Sequence, residues 1–327
     1  MPPNEFDIIQ QYFQRPAKNA SVKRSVGDDC ALLSVAHDKQ LVVSMDTIVA
    51  GRHFPADANP YDIATRALCT SLSDLAAMGA KPLWFTLGLT LPAANKEWLA
   101  SFSQGLFAIA DQYHCDLIGG DTTKGPLTVT IQVHGEVGHE VMCRHHACVG
   151  DSVFVTGCLG DGAAALSLLQ DSHASLPSSV EQQYLHQRFY APEPQIAAGI
   201  TLASMAHAAI DISDGLLADL GHIAAASKVN IEVEIDALPL SQAAKGLNIQ
   251  KVVDWALTGG DDYKLAFTAP QAYLDDIQTL IDQQLLQATC IGRVTESVPD
   301  SGQVYCLRNG EPFHTDYLTK GFQHFAS

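Results

Sequence analysis

Cations are scarce in this chain. Lys and Arg number 19 against 36 Asp and Glu, a formal net charge of −17. Generic nucleic-acid binding rests on neutralising phosphates, so this balance argues against it. An acidic surface by itself only keeps a protein soluble; where the acids fall matters more than how many there are. Long apolar runs are also missing. No stretch reaches the roughly 18 residues that span a bilayer, and the start "MPPNEFDIIQQYFQ" lacks the basic head and apolar block of a signal peptide. No Cys-x-x-Cys occurs among Cys30, Cys69, Cys115, Cys143, Cys148, Cys158, Cys290 and Cys306. Scattered thiols, most of them in apolar segments, fit buried free cysteines in a reducing cytoplasm. Two further absences narrow the function. There is no Gly-x-x-x-x-Gly-Lys-Ser/Thr, which excludes a P-loop enzyme, and no period of 20–50 residues, which argues against a solenoid. The expectation is a soluble, cytoplasmic chain with neither a membrane nor a nucleic-acid partner.

What is present suffices for two packed domains. The chain has 327 residues, 47% hydrophobic and 17% charged, room for two domains of about 150 residues each. The first half alternates strands and helices. "KQLVVSMDT" is a short strand. "NPYDIATRALCTSLSDLAAMGAKP" is a helix that Asn59 can cap, that Pro60 and Asp62 suit at the start, and that Gly79 with Pro82 ends. Its greasy side is Leu68, Leu72 and Leu75, beside a stripe of Ala67, Thr70, Ser71 and Asp74. "CDLIGGDTTKGPLTVTIQVHGEV" reads as a short strand, a Gly-Gly-Asp turn and a second strand with a clean period of two. The organisation restarts near residue 149, so the expected domains are 1–148 and 149–327. "DSHASLPSSVEQQ" reads as a loop or linker within the second.

Aspartate recurs at strand ends and turns: Asp28 and Asp29, Asp46, Asp121, Asp211 and Asp214, Asp261 and Asp262, with Asp74 near a helix end. Each alone is ordinary turn chemistry. Together they suggest a shared pocket, because ligands of α/β sheets gather at the carboxyl ends of strands. Two like charges 4 Å apart cost about 4 kcal/mol at an effective dielectric near 20. Such a pocket therefore binds protons or cations. Short carboxylates without His or Cys suit hard ions such as Mg²⁺, which share phosphate oxygens in phosphoryl transfer.

Three glycine- or histidine-rich stretches are candidates for ligand contacts. "TGCLGDG" (156–162) lacks the Gly-x-Gly-x-x-Gly spacing and reads as a packing turn. In "SDGLLADLGHI", Ser213 can cap a helix whose N-terminal amides attract anions, with Asp214 beside it. In "HEVMCRHHAC" (139–148), His139, Cys143, His145, His146 and Cys148 match no standard zinc spacing, and Arg144 is the stronger phosphate partner.

"VGDDCALL", "SMDTIVAGRHF", "SLSDLAAMGAKP", "LIGGDTTKGPL", "AIDISDGLLADLGHI" and "TGGDDYKLAFT", in this order, resemble the thiamine-monophosphate kinase family over nearly the whole chain. The resemblance implies an α/β (α+β) fold of two domains shared with aminoimidazole ribonucleotide synthetase. In it an N-terminal domain forms a β-barrel with a second subunit, and a C-terminal α/β domain completes the active site. It implies a homodimer that uses ATP and several Mg²⁺ ions to phosphorylate thiamine monophosphate to thiamine diphosphate. Carried over position by position, Asp29, Ser44, Met45, Asp46, Asp74, Asp121, Asp211 and Asp214 look like the metal shell, with Asp46, Asp74 and Asp121 closest to the chemistry. Gly120, Asp121, Arg144 and Ser213 look like nucleotide contacts. His53, Asp261 and Tyr317 look like contacts to the thiamine phosphate.

The chain departs from the family pattern in three places. Met45 stands where Thr is usual, so only its carbonyl could serve a magnesium ion. Gly-Gly-Asp-Asp-Tyr-Lys replaces Gly-Gly-Glu-Asp-Tyr-Glu, which shortens Asp261 and puts a cation at Lys264. Tyr317 stands where Trp is common. Selenophosphate synthetase needs a reactive Cys near the N-terminus, and the first 29 residues hold none; the hydrogenase-maturation relative ends in a functional Cys, and this chain ends "HFAS". The alternatives are an aminoimidazole ribonucleotide synthetase and a metal- and nucleotide-binding module without turnover.

Overall fold

The computed structural model describes residues 5–170, 178–297 and 302–314. Its contacts divide the chain into two compact units. The first runs to His139 without Ala76–Gly79; the second holds Ala76–Gly79 and the chain from Glu140 onward.

In the first unit, α1 (Glu5–Ile8) continues into a π-helical turn, Ile9–Phe13, and β1 (Val22–Arg24) pairs with β2 (Leu32–Leu33). Then follow β3 (Gln40–Val49), α2 (Pro60–Ala77), β4 (Lys81–Leu91), α3 (Lys96–Gln112), β5 (Asp116–Lys124) and β6 (Thr128–Val137). The last four strands of this unit form one mixed sheet in the order β3-β6-β4-β5, antiparallel except for the parallel pair β4–β5. The period of two in β6 is obeyed: Val129, Ile131 and Val133 are buried and alternate with half-buried Thr128, Thr130, Gln132 and His134.

The α2 helix starts and stops where its punctuation says. Asn59 Oδ1 accepts the Tyr61 amide at 2.9 Å, Pro60 takes the first position, and Gly79 ends the helix at φ +68°. Leu68, Leu72 and Leu75 are fully buried, as their stripe requires. One expectation changes here. Gly-Gly-Asp is not a turn: Gly119, Gly120 and Asp121 lie inside β5, with Gly120 opposite Leu87 and Asp121 opposite Gly88 of β4. Glycine is needed for that close approach, since a Cβ at Gly120 would sit 2.0 Å from the Leu87 carbonyl oxygen.

The second unit contains β7 (Ser152–Thr156), α4 (Asp161–Gln170), α5 (Ser179–Tyr190), α6 (Ile196–Leu202), β8 (Ala208–Asp211) and α7 (Leu216–Ser227). It continues with β9 (Asn230–Glu234), α8 (Gln242–Lys245), α9 (Ile249–Thr258), β10 (Leu265–Ala269), α10 (Leu274–Asp282), β11 (Ala288–Thr295), β12 (Val304–Arg308) and β13 (Glu311–Phe313). Seven strands form one sheet, β13-β12-β9-β11-β7-β10-β8, in which only β9 and β12 pair in parallel. The interior strand β7 feeds both faces. Val153 and Val155 join Ile210, Leu216 and Leu220 on one side, and Phe154 stacks on Phe267 at 5.1 Å on the other. A sheet covered on both faces explains why every residue of β10 is buried, Thr268 included. Part of the expected linker is helical: Ser178 and Glu181 make a capping box that opens α5, while residues 171–177 lie outside the described segments.

Candidate active site

Alternation along β3 turns Ser44 and Asp46 to one face of the strand, and α2 supplies what they meet. The Ser44 hydroxyl donates to Asp74 Oδ2. Asp46 lies close enough to Asp74 for the two carboxylates to repel, and Ser71, one turn earlier on α2, hydrogen-bonds Asp46. Burial first, then the Asp74 charge, push the Asp46 carboxyl up to about 6, with Ser71 pulling the other way. Two partly buried carboxylates and a hydroxyl form a set of hard oxygen donors that gains by taking up a cation. Met45, between them in sequence, turns its side chain to the opposite face, where it is 61% exposed.

A second acidic group lies around the β1–β2 turn. Asp28 accepts the Asp29 amide at 2.9 Å and an Arg24 guanidinium N–H, so it braces the turn, while Asp29 is exposed. Asp28, Asp29, Gly120 and Asp121 line a cavity of about 540 Å³ whose apolar wall includes Ile9, Phe13 and Leu117. Acidic on one side and greasy on the other, this space suits a flat heterocycle carrying phosphates and cations. Asp121 does not share a face with Asp46. Cross-strand partners place Asp121 in the row Gly88, Thr130 and Thr47, and the hydroxyl contacts Thr47–Thr130 (2.9 Å) and Thr90–Thr123 (3.1 Å) mark that face.

His53 follows a tight turn after β3. Its Nδ1 accepts the Val49 amide at 3.0 Å, and its carbonyl accepts Nε–H of the buried Arg66 at 3.1 Å. A ring held through Nδ1 in this way carries its proton on Nε2.

In the second unit four expected residues come to one end of the β8–β10 pair. Asp211 closes β8 opposite Leu265, which opens β10. The Asp261 amide donates to the Ser213 carbonyl at 3.0 Å, so the loop carrying Ser213 and Asp214 is tied to the loop carrying Asp261. Asp261 and Tyr263 both have positive φ, +70° and +48°, conformations that cost energy in residues with side chains. The Tyr263 hydroxyl donates to Asp261 Oδ1 at 3.2 Å.

Ser213 does not cap α7. Gly215 holds that position at φ +122°, and Asp219 reaches back so that its Oδ2 accepts the amides of Ser213, Asp214 and Gly215 at 3.0–3.1 Å. The anion at this helix start is thus the protein's own. The same device recurs across the sheet: Asp262 accepts the amides of Gly160 (2.7 Å) and Gly162 (3.1 Å), which keeps "TGCLGDG" a packing turn. Burial pushes both carboxyls up to about 7 against those amide donors. Sequence reading missed Asp219 and Asp262 in this role. The signal was an aspartate in the first turn after Gly215, and the second of two adjacent aspartates.

The Lys264 side chain runs beneath Gly157, where a Cβ would lie 2.9 Å from Lys264 Cε, and its ammonium is 3.9 Å from Glu193. Burial, and then the nearby Arg188, lower its pKa, with Glu193, Asp262 and Asp161 acting in the other direction. Arg144 is exposed, its carbonyl accepting the Ser227 hydroxyl at 2.9 Å. Tyr317 lies outside the described residues.

Residues 27–137 match the family model of the AIR synthase related protein, N-terminal domain, and residues 149–304 match its C-terminal domain. The thiamine-monophosphate kinase of Haemophilus influenzae is 43% identical over 324 residues, 98% of each chain. The chain belongs to the thiamine-monophosphate kinase family. Within that family, the Bacillus subtilis kinase is 37% identical over 90% of this chain and 92% of its own. The crystal structure of the Stenotrophomonas maltophilia kinase superposes with a TM-score of 0.85 at 41% identity, covering 94% of this chain and 96% of that one. AaThiL complexed with AMPPCP and TMP superposes with a TM-score of 0.76 at 30% identity, over 98% and 96%. The hydrogenase maturation protein HypE of Escherichia coli, at 21% identity and a TM-score of 0.73, shares the fold.

Proposed function

We infer that this chain phosphorylates thiamine monophosphate to thiamine diphosphate at the expense of ATP. The observation that carries the reading is the Ser44–Asp46–Asp74 group, hard oxygen donors brought together by β3 and α2 in a chain that matches the family end to end. The acceptor is a phosphate oxygen of thiamine monophosphate, already ionised near neutral pH. It attacks the γ-phosphorus of ATP, the bond from that phosphorus to the β–γ bridging oxygen breaks, and ADP leaves. No strong general base is required, so positioning and charge neutralisation carry the catalysis.

Bound Mg²⁺ would supply the positive charge that lets two anions approach. In the first unit the proposed ligands of such ions are Asp29, Ser44, Asp46, Asp74 and Asp121, with the Met45 carbonyl, since that side chain points away; in the second unit they are Asp211 and Asp214. Gly120, Asp121, Arg144 and Ser213 are assigned to the nucleotide, whose base suits the apolar wall of the 540 Å³ cavity. His53, through Nε2–H, is assigned to the substrate phosphate. Asp261 is assigned to the cationic thiazolium, and Tyr317 to its ring face. We retain 1–148 and 149–327 as working domains, the first bearing the dimer face and the second Asp211, Ser213, Asp214 and Asp261.

The dimer belongs to the same proposal. β3 is an edge strand whose Leu41, Val43 and Met45 are 44%, 46% and 61% exposed on one face. A row of unpaired apolar side chains on a sheet face calls for a partner, and a second copy closing a barrel would cover it. Asp121 lies on that same face, which points it toward the second copy. Among the described residues no helix is long and apolar enough to cross a membrane and all eight cysteines are free, which supports a reducing compartment.

Purified protein given Mg-ATP and thiamine monophosphate should release ADP and thiamine diphosphate in equal amounts. ADP released only with formylglycinamidine ribonucleotide would replace this reading with a synthetase, and nucleotide binding without turnover would replace it with a regulatory module.

A further inference from the structure

The histidine- and cysteine-rich stretch 139–148 has no part in the chemistry above except through Arg144. Its spacing alone offers no standard metal set, but the fold adds Asp151, three residues beyond it, and His207, 56 residues further on. Asp151, 2% exposed, sits just before β7, and its Oδ2 accepts the Cys148 amide at 2.9 Å. Both oxygens of that carboxylate lie 3.0 Å from Nδ1 of His207, the residue before β8. The ligand atoms of Cys148, Asp151 and His207 are all within 4.8 Å of one another.

The backbone around them is held. The His207 amide donates to the Thr268 carbonyl at 2.8 Å, Ala209 to Cys143 at 3.3 Å, and Ala147 to the Ser227 hydroxyl at 3.1 Å. Cys148 is exposed with its Sγ 3.4 Å from the His146 carbonyl oxygen, and the His207 side chain is 38% exposed, so both can adjust around the buried Asp151.

We propose that Cys148, Asp151 and His207 bind a borderline-soft divalent cation, Zn²⁺ fitting best, with water in the fourth position. Bonds of about 2.0–2.3 Å in a tetrahedron put ligand atoms roughly 3–4 Å apart, which the Asp151–His207 pair already meets. The thiolate discriminates against Mg²⁺, which takes oxygen ligands, so this site is chemically distinct from the kinase centre. On binding, the thiol loses its proton to solvent. Nδ1 of His207 gives up its proton while Nε2 carries one, so the ring stays a neutral imidazole, and Nδ1 exchanges its hydrogen bond with the carboxylate for the metal. His145 and His146, whose rings lie 4.0 Å apart on the same exposed turn, are not needed for the site.

Titration of the chelator-stripped full chain with Co²⁺ tests this. One equivalent should produce a thiolate-to-cobalt charge-transfer band and the visible bands of a tetrahedral ion, both displaced by Zn²⁺. Cys148→Ser should abolish the charge-transfer band, and His207→Gln should weaken binding about tenfold or more. Asp151→Asn keeps an acceptor for the Cys148 amide, so it should fold yet bind poorly. Turnover with Mg-ATP should be unchanged in Cys148→Ser. Absence of the band, its survival in Cys148→Ser, or its loss only in Cys30→Ser, where the thiol adjoins the acidic turn, would overturn the proposal.

Discussion

Ser44 on β3 donates its hydroxyl hydrogen to Asp74 on α2, and Asp46 faces the same carboxylate from two residues further along the strand. A strand that alternates and a helix that ends nearby hold two repelling charges together.

Asp46→Asn and Asp74→Asn should each lower kcat by about 100-fold or more, the scale of losing one preorganised electrostatic contact in a transition state. Both variants should melt at or above the wild-type temperature without Mg²⁺, because each removes one member of a repelling pair. Near-normal turnover in both would take them out of the site.

Gly162→Ala should disturb Asp261 without touching substrate. A Cβ there would lie 2.4 Å from the Asp261 carbonyl oxygen and 2.8 Å from its Cβ. The expected result is a higher KM for thiamine monophosphate with a smaller change in KM for ATP, read from steady-state kinetics. Equal changes in both would show that Asp261 does not serve the thiamine end.

Asp262 makes stability depend on pH in a stated direction. Burial raises its carboxyl from 3.8 to about 7 in the folded chain. Between those two values the folded form holds a proton that the unfolded form has lost. This contribution to stability therefore falls as pH rises through that window and is flat above it. Melting of wild type against Asp262→Asn from pH 4.5 to 8 should show the difference moving in the variant's favour by about 1–3 kcal/mol up to pH 7. A constant difference would contradict the raised carboxyl.

Leu41→Asp with Val43→Asp should convert a dimer into a monomer in sedimentation velocity, since charge replaces the exposed apolar row of β3. Activity should fall with dissociation if Asp121 serves the partner copy. An intact dimer would move the interface elsewhere.

How much of this was legible beforehand differs by kind. The ends of α2, the alternation of β6 and the bracing role of Asp28 are local, so Asn59, Pro60, Gly79 and the turn itself announced them. The strand through Gly120 was not legible, because Gly-Gly-Asp reads as a turn until β4 lies beside it. Asp219 and Asp262 escaped for a related reason. Their task is to satisfy backbone amides, and which amides lack a partner is known only once the loops are placed; Gly160 and Asp262 are 102 residues apart.

Residue types and their order, then, determined the chemistry on offer: short carboxylates beside glycines, free thiols, few cations, and two domains' worth of apolar periodicity. Tertiary structure alone decided which carboxylates face one another, which spend themselves on their own backbone, and that Asp46 and Asp121 stand on opposite faces of one sheet. The reason is range: propensity and periodicity act over a few residues, whereas Coulomb repulsion and hydrogen-bond demand depend on distances that only folding sets.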